Sequence, residues 1–139
     1  MSASFFDTNV LVYAFDRHDS EKQKRAQSLI GDYGSRGDLV ISTQVLQEFY
    51  VTVTKKLASP INPVDAAGIV ADLAEFPLIQ VNKTLISRAI QRHRQGTFSF
   101  WDCMIVEAAL QANCQILFTE DMQHGQQMGT LTLRNPFLP

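Results

Sequence analysis

Cysteine is scarce: Cys103 and Cys114 are the only two in 139 residues. That excludes a disulfide scaffold and leaves two reduced core thiols as the expectation. His18, His93 and His124 share no metal-ligand spacing with them. Five prolines and seven glycines exclude a collagen-like or low-complexity chain. Long apolar runs are missing too. The longest, Val10 to Phe15, is far short of the about 20 residues that cross a membrane. The start, Met1 to Phe6, has no basic segment and no long apolar stretch, so no signal peptide is expected. These absences predict one soluble, cytoplasmic domain over residues 1–139 with no membrane partner. A chain of this length buries roughly two-thirds of its unfolded surface and needs no staple to hold a core.

Excess charge is also absent. Twelve basic against fourteen acidic residues give −2, which by itself argues against a nucleic-acid partner. The distribution argues otherwise. No acid lies between Glu75 and Asp102, yet Lys83, Arg88, Arg92 and Arg94 fall there, so the acids are concentrated elsewhere.

What is present is an alternation of short apolar strands and helical patterns. Ser4–Phe6 reads as a strand stopped by Asp7, with helical spacing from Thr8 through Val10, Leu11, Ala14 and Phe15. A polar helix over 20–33 is broken by Gly31, Gly34, Ser35 and Gly37. Strand 39–41 leads to Ser42, a helix N-cap, and a helix to about Leu57. Pro63 starts a helix ending near Phe76. Strand 78–81 precedes a helix capped by Asn82 and reaching Gln95; a further helix spans 100–112, stopped by Asn113. Strand 115–118 and a weak one over 131–133 close the chain. Strands separated by helices predict a three-layer α/β/α domain around a mainly parallel sheet of four to five strands.

On this reading Asp7 ends the first strand, Glu48 lies early in the helix after the second, Asp102 opens a late helix, and Asp121 follows the fourth strand. The carboxyl ends of parallel strands and the starts of the following helices share one edge, where ligands bind. Each acid alone has an ordinary role, as a helix cap, a first-turn acid, a solvated side chain or a turn former. Jointly they do not. Carboxylates about 4 Å apart repel by about 4 kcal/mol at an effective dielectric of about 20. A fold gathers them to hold hard cations such as Mg²⁺ or Mn²⁺, which take oxygen ligands and keep waters for phosphates. Without these four acids, twelve positive charges face ten negative, a remainder of +2. Hydrolysis of a phosphodiester is the first reaction class to consider.

Asp7-Thr8-Asn9-Val10-Leu11-Val12-Tyr13, Val45-Leu46-Gln47-Glu48-Phe49-Tyr50, Phe98-Ser99-Phe100-Trp101-Asp102 and Leu117-Phe118-Thr119-Glu120-Asp121 resemble the PIN-domain ribonucleases, most of all the VapC-type toxins of toxin–antitoxin pairs. The resemblance covers essentially the whole chain, including Asn135-Pro136-Phe137. It implies a Mg²⁺- or Mn²⁺-dependent endoribonuclease, often a homodimer, silenced by a cognate antitoxin. It also implies that Asp7 and Asp102 are the principal metal ligands, with Glu48 and Asp121 completing the site. Thr8 or Asn9 would lie beside the metal, and Thr119 would position Asp121. The adjacent Glu120 competes with Asp121 for that role, and the Thr-x-Asp spacing favours Asp121.

Arg88, Arg92 and Arg94 are candidates for RNA backbone contacts, or equally an exposed basic face. Lys22, Lys24 and Arg25 are expected to pair locally with Glu21. Phe98, Phe100 and Trp101 could stack on unpaired bases or serve as core or dimer contacts. A housekeeping PIN-type RNA-processing nuclease is the alternative within this chemistry. A Mg²⁺-binding phospho-receiver domain is disfavoured, because Asp7 stands alone and no Lys follows the last strand.

Overall fold

The computed structural model describes residues 3–139. The leader-free reading of Met1 and Ser2 lies outside the described residues. In chain order the elements are β1 (Ser4–Phe6), α1 (Thr8–Tyr13), α2 (Ser20–Ser35), β2 (Leu39–Ser42), α3 (Thr43–Lys55), α4 (Pro63–Leu73), β3 (Leu78–Ile79), α5 (Lys83–Gln95), α6 (Phe100–Gln111), β4 (Ile116–Phe118), β5 (Gln127–Met128) and β6 (Leu131–Arg134). The strand order is β3-β2-β1-β4-β6-β5, parallel throughout except for β5 against β6.

The sheet has six strands where four to five were expected. The addition is β5, a two-residue strand that turns back on β6 through Gly129, whose φ of +61° is a conformation glycine adopts without strain. Two residues carry no readable alternation, so this edge was invisible to pattern. Helix α2 also runs past Gly31 and Gly34 to Ser35. Gly34 is there for contact: a Cβ would come within 3.1 Å of the Phe76 ring. The chain turns instead at Gly37, with φ +74°.

Five side-chain caps start helices by accepting from a backbone N–H three residues on: Asp19 for α2, Ser42 for α3, Asn62 for α4, Asn82 for α5 and Ser99 for α6. The core forms where these helices meet the sheet. Phe5, Phe6, Leu39, Ile41, Phe49, Ile105, Leu117 and Phe118 are fully buried or nearly so. Phe6, Phe118 and Tyr33 pack edge-on, with centroids 5.2 to 5.7 Å apart. Cys103 and Cys114 are buried and unpaired, as the sequence predicts, and burial pushes the Cys114 thiol up to about 12. Among the described residues no helix is long and apolar enough to cross a membrane.

β1 is central. The chain moves from it to β2 and β3 on one side, then returns to β4 on the other. The switch point between β1 and β4 is therefore where a crevice opens at the carboxyl edge.

Candidate active site

β1 and β4 run in parallel register, Phe6 opposite Phe118. Asp7 and Thr119, the next residues on each strand, therefore emerge side by side, tied by a hydrogen bond from the Asp7 N–H to the Phe118 carbonyl at 2.9 Å. Thr119 Oγ1 donates to Asp7 Oδ2 at 2.8 Å and accepts from the Asp121 N–H at 3.2 Å. Asp7 is also the N-cap of α1, its Oδ1 accepting from the Thr8 N–H at 2.7 Å. Both its oxygens are thus held by protein.

The remaining acids arrive by short routes. Ser42 ends β2 and caps α3, which places Glu48 in the second turn, where Thr8 Oγ1 donates to its Oε1 at 2.8 Å. Asn9 Nδ2 donates to Asp121 Oδ2 at 2.8 Å, and its Oδ1 accepts from the Glu120 N–H at 3.3 Å. Ser99 caps α6 by accepting from the Asp102 N–H at 3.1 Å. Asp7, Thr8, Asn9, Glu48, Asp102 and Asp121 all line one open cleft of about 730 Å³. Thr119 is fully buried behind it.

Burial pushes the Asp7 carboxyl up to about 7; hydrogen bonds from Thr119 and Thr8 pull the other way, and the charges of Asp121 and Glu48 add to the rise. Burial likewise raises Asp102 above the ordinary carboxylate range, opposed by Ser99 and assisted by Asp121 and Glu48. The acids thus sense one another across the cleft. Among the described residues, no three Asp, Glu, His or Cys side chains close on a single point ready to hold a metal. They stand apart, each on its own hydrogen bonds.

Glu120 is occupied differently. Its Oε2 accepts from Lys22 Nζ at 2.5 Å and its Oε1 from the Tyr13 hydroxyl at 2.8 Å. Lys22 therefore pairs across the fold rather than with Glu21, since adjacent residues on a helix point to different faces. Arg25 likewise turns away, donating to the Pro136 carbonyl at 3.0 Å. With Glu120 neutralised, Asp121 is the acid left to the cleft.

Of the basic candidates, Arg88 and Arg92 line a second groove of about 400 Å³ with Phe98 and Glu107. Arg92 Nε is paired with Glu107 there. Arg94 is exposed and lines neither recess. Reading by pattern missed Tyr13, Lys22, Gln44 and Glu107. Lys22 and Glu120 are 98 positions apart, so no local signal could have joined them.

The PIN domain family model matches residues 4–126. Among solved structures, a toxin–antitoxin complex from Klebsiella pneumoniae is 16% identical with TM-score 0.72, covering 97% of this chain and 98% of its own. VapC20 of Mycobacterium tuberculosis, a sarcin–ricin-loop-cleaving toxin, is 20% identical with TM-score 0.65 over 86% of this chain and 90% of that one. DNA-bound VapBC from Salmonella typhimurium is 15% identical with TM-score 0.65, over 98% and 99%. At such identities the likeness concerns the fold. No curated protein matches the chain in sequence.

Proposed function

The chain belongs to the PIN-domain family, and from that premise we propose that it is a divalent-metal-dependent endoribonuclease, the toxin of a toxin–antitoxin pair acting in the cytoplasm. The observation that carries this reading is the set of four acids from four separate segments that line one cleft with, among the described residues, no cation paired to them. Glu107, buried in the groove away from the cleft, is paired with Arg92, and Glu120 at the cleft's edge is paired with Lys22. Uncompensated negative charge at the carboxyl edge of a parallel sheet has a use in binding a cation.

The donor set fits a hard ion: Asp7, Glu48, Asp102 and Asp121 offer only carboxylate oxygens, with the Thr8 and Asn9 side chains adjacent. Oxygen-only donors suit Mg²⁺, which keeps several waters and takes one or two carboxylates directly, so acids that stand apart can still serve it. When bound, such an ion lowers the pKa of an attacking water and stabilises charge on the phosphate. The chain's own residues do the positioning. Thr119 and the Thr8 N–H fix both oxygens of Asp7, Thr8 fixes Glu48, and Asn9 fixes Asp121. Asp7 and Asp102 would be the main ligands, and Glu48 and Asp121 would orient the water. RNA is the substrate on this reading. Arg88, Arg92 and Arg94 would meet only RNA that leaves the cleft.

That three of the neighbours in fold are toxin–antitoxin complexes supports a cognate antitoxin as partner, with a homodimer as the expected assembly. The test incubates labelled RNA with the protein in Mn²⁺ or Mg²⁺ and in EDTA. Cleavage with metal, none in EDTA and none by Asp7→Asn is expected; equal cleavage in EDTA would overturn the mechanism. A small open reading frame upstream, encoding a DNA-binding domain with a basic tail, is expected too. Its absence would favour a housekeeping RNA-processing role.

A further inference from the structure

Six acidic side chains line the cleft, Asp16 and Glu120 besides the four, against Lys56 in the lining and Lys22 on Glu120. Even with a divalent ion on the four acids, the lining offers a polyanion little positive charge, so affinity for RNA has to come largely from elsewhere. One side chain is built to supply it. In α6 the run from Cys103 to Ala109 is buried, but Trp101 is 61% exposed and lines the cleft beside Asp102. It is the only tryptophan in the chain. Its ring is braced by Phe100, edge-on with centroids 5.1 Å apart, and its backbone carbonyl accepts from Gln44 Nε2 at 3.2 Å. Gln44 also lines the cleft, is 4% exposed, and its buried Oε1 has no hydrogen-bond partner among the described residues. A buried acceptor without a protein partner costs free energy unless a donor from water or a ligand reaches it, so it is an acceptor free to meet one.

The geometry points to a nucleobase subsite: an unpaired base of the RNA stacks on Trp101, and a donor on its edge pairs with Gln44 Oε1. The subsite rests on the ribonuclease reading and extends it to single-stranded substrate. Every base has a face to stack, so this grip works without positive charge. It sits one residue from Asp102, so it would set which phosphodiester lies over the acids.

Because Trp101 is the sole tryptophan, its fluorescence reports the subsite directly. Asp7→Asn protein, in which Asn keeps the helix cap, would be titrated with a uridine hexanucleotide and with an abasic hexamer of the same length. Quenching by the first and not by the second is expected. In cleavage assays Trp101→Ala should raise KM about tenfold, with a smaller effect on kcat, and Trp101→Phe should recover most of the loss. Binding of the hexanucleotide by anisotropy without quenching, or an unmoved KM in Trp101→Ala, would overturn the subsite. A changed oligomeric state in Trp101→Ala by size-exclusion chromatography, with RNA binding intact, would overturn it in favour of a protein contact. Metal-dependent cleavage by the wild type separates the two failures: if it persists, only the subsite falls, and if it is missing, the ribonuclease reading falls first.

Discussion

The cleft at the β1–β4 switch point and the groove between α5 and α6 both hold carboxylates in partly or wholly buried positions, and they treat them in opposite ways. In the groove, Glu107 is 9% exposed and paired with Arg92. At the cleft, Asp7 is 5% exposed and meets, among the described residues, only neutral hydrogen-bond donors, and burial pushes its carboxyl up to about 7. Glu120 shows the same contrast within two residues of chain, since Lys22 takes it out of play while its neighbour Asp121 stays unpaired. Pairing is how this fold manages negative charge it needs for packing. The deeply buried carboxylate without a cation partner among the described residues is Asp7, and it sits in the cleft.

Removing its charge should break the comparison most sharply. The unfolded chain ionises Asp7 near pH 4 and the folded one near 7, so the unfolded state sheds that proton first. The metal-free protein should lose stability as pH rises from about 4 to about 7, level off above that, and keep the contribution in full below 4. The linkage sets an upper bound of roughly 4 kcal/mol. Asp7→Asn should flatten this profile and be about 1–3 kcal/mol more stable than wild type at pH 8, while losing cleavage by about a thousandfold or more. Thermal melts across pH without metal decide it; a variant with the wild-type profile would mean that Asp7 carries no such penalty. Mn²⁺ should raise the wild-type melting temperature and shift the variant much less.

Arg92→Met asks the reverse question in the groove. It strands the Glu107 charge and should cost about 1–3 kcal/mol in urea unfolding, below the cost of a fully buried pair because Arg92 is a third exposed. Cleavage by the folded variant should stay within about twofold, and a large loss of kcat would mean that the two regions are not separate.

Lys22→Met sharpens the contrast at its boundary. The pair with Glu120 is a quarter to a third exposed, so its loss should cost under about 1 kcal/mol. It frees another negative charge beside Asp121, however, and cleavage should fall several-fold. Adding Glu120→Gln should restore most of it. A double variant no better than the single one would show that Lys22 acts through packing on Tyr13 and Phe137 rather than by neutralising Glu120. The smallest effect is expected from Arg88→Ala with Arg94→Ala, both exposed and away from the cleft. RNA affinity should drop at most a few-fold at low salt, and the difference should vanish above about 0.2 M salt.

Much of this could be read from the chain. Alternating strands and helices, and caps such as Ser42 and Asn82, are local signals written in a few adjacent residues; the Ser99 cap of α6 emerged only from the structure. The four acids were legible because parallel topology sends every strand end to one edge, so order along the chain predicts proximity. A two-residue strand such as β5 lies below any periodic signal, and the predicted strand over 78–81 shrinks to Leu78–Ile79. The glycine break proposed in α2 failed because Gly34 answers to Phe76, a contact made across the fold.

Sequence by itself determined the fold class and the carboxyl edge toward which Asp7, Glu48, Asp102 and Asp121 run, since both follow from hydrophobic period, capping and strand order. Only the tertiary structure decided which carboxylates are paired. Lys22 reaches Glu120 across 98 residues, and Arg92 reaches Glu107 across 15 and two helices. A charge pair forms wherever packing brings the two groups together, whatever their separation along the chain, and no local pattern carries that information.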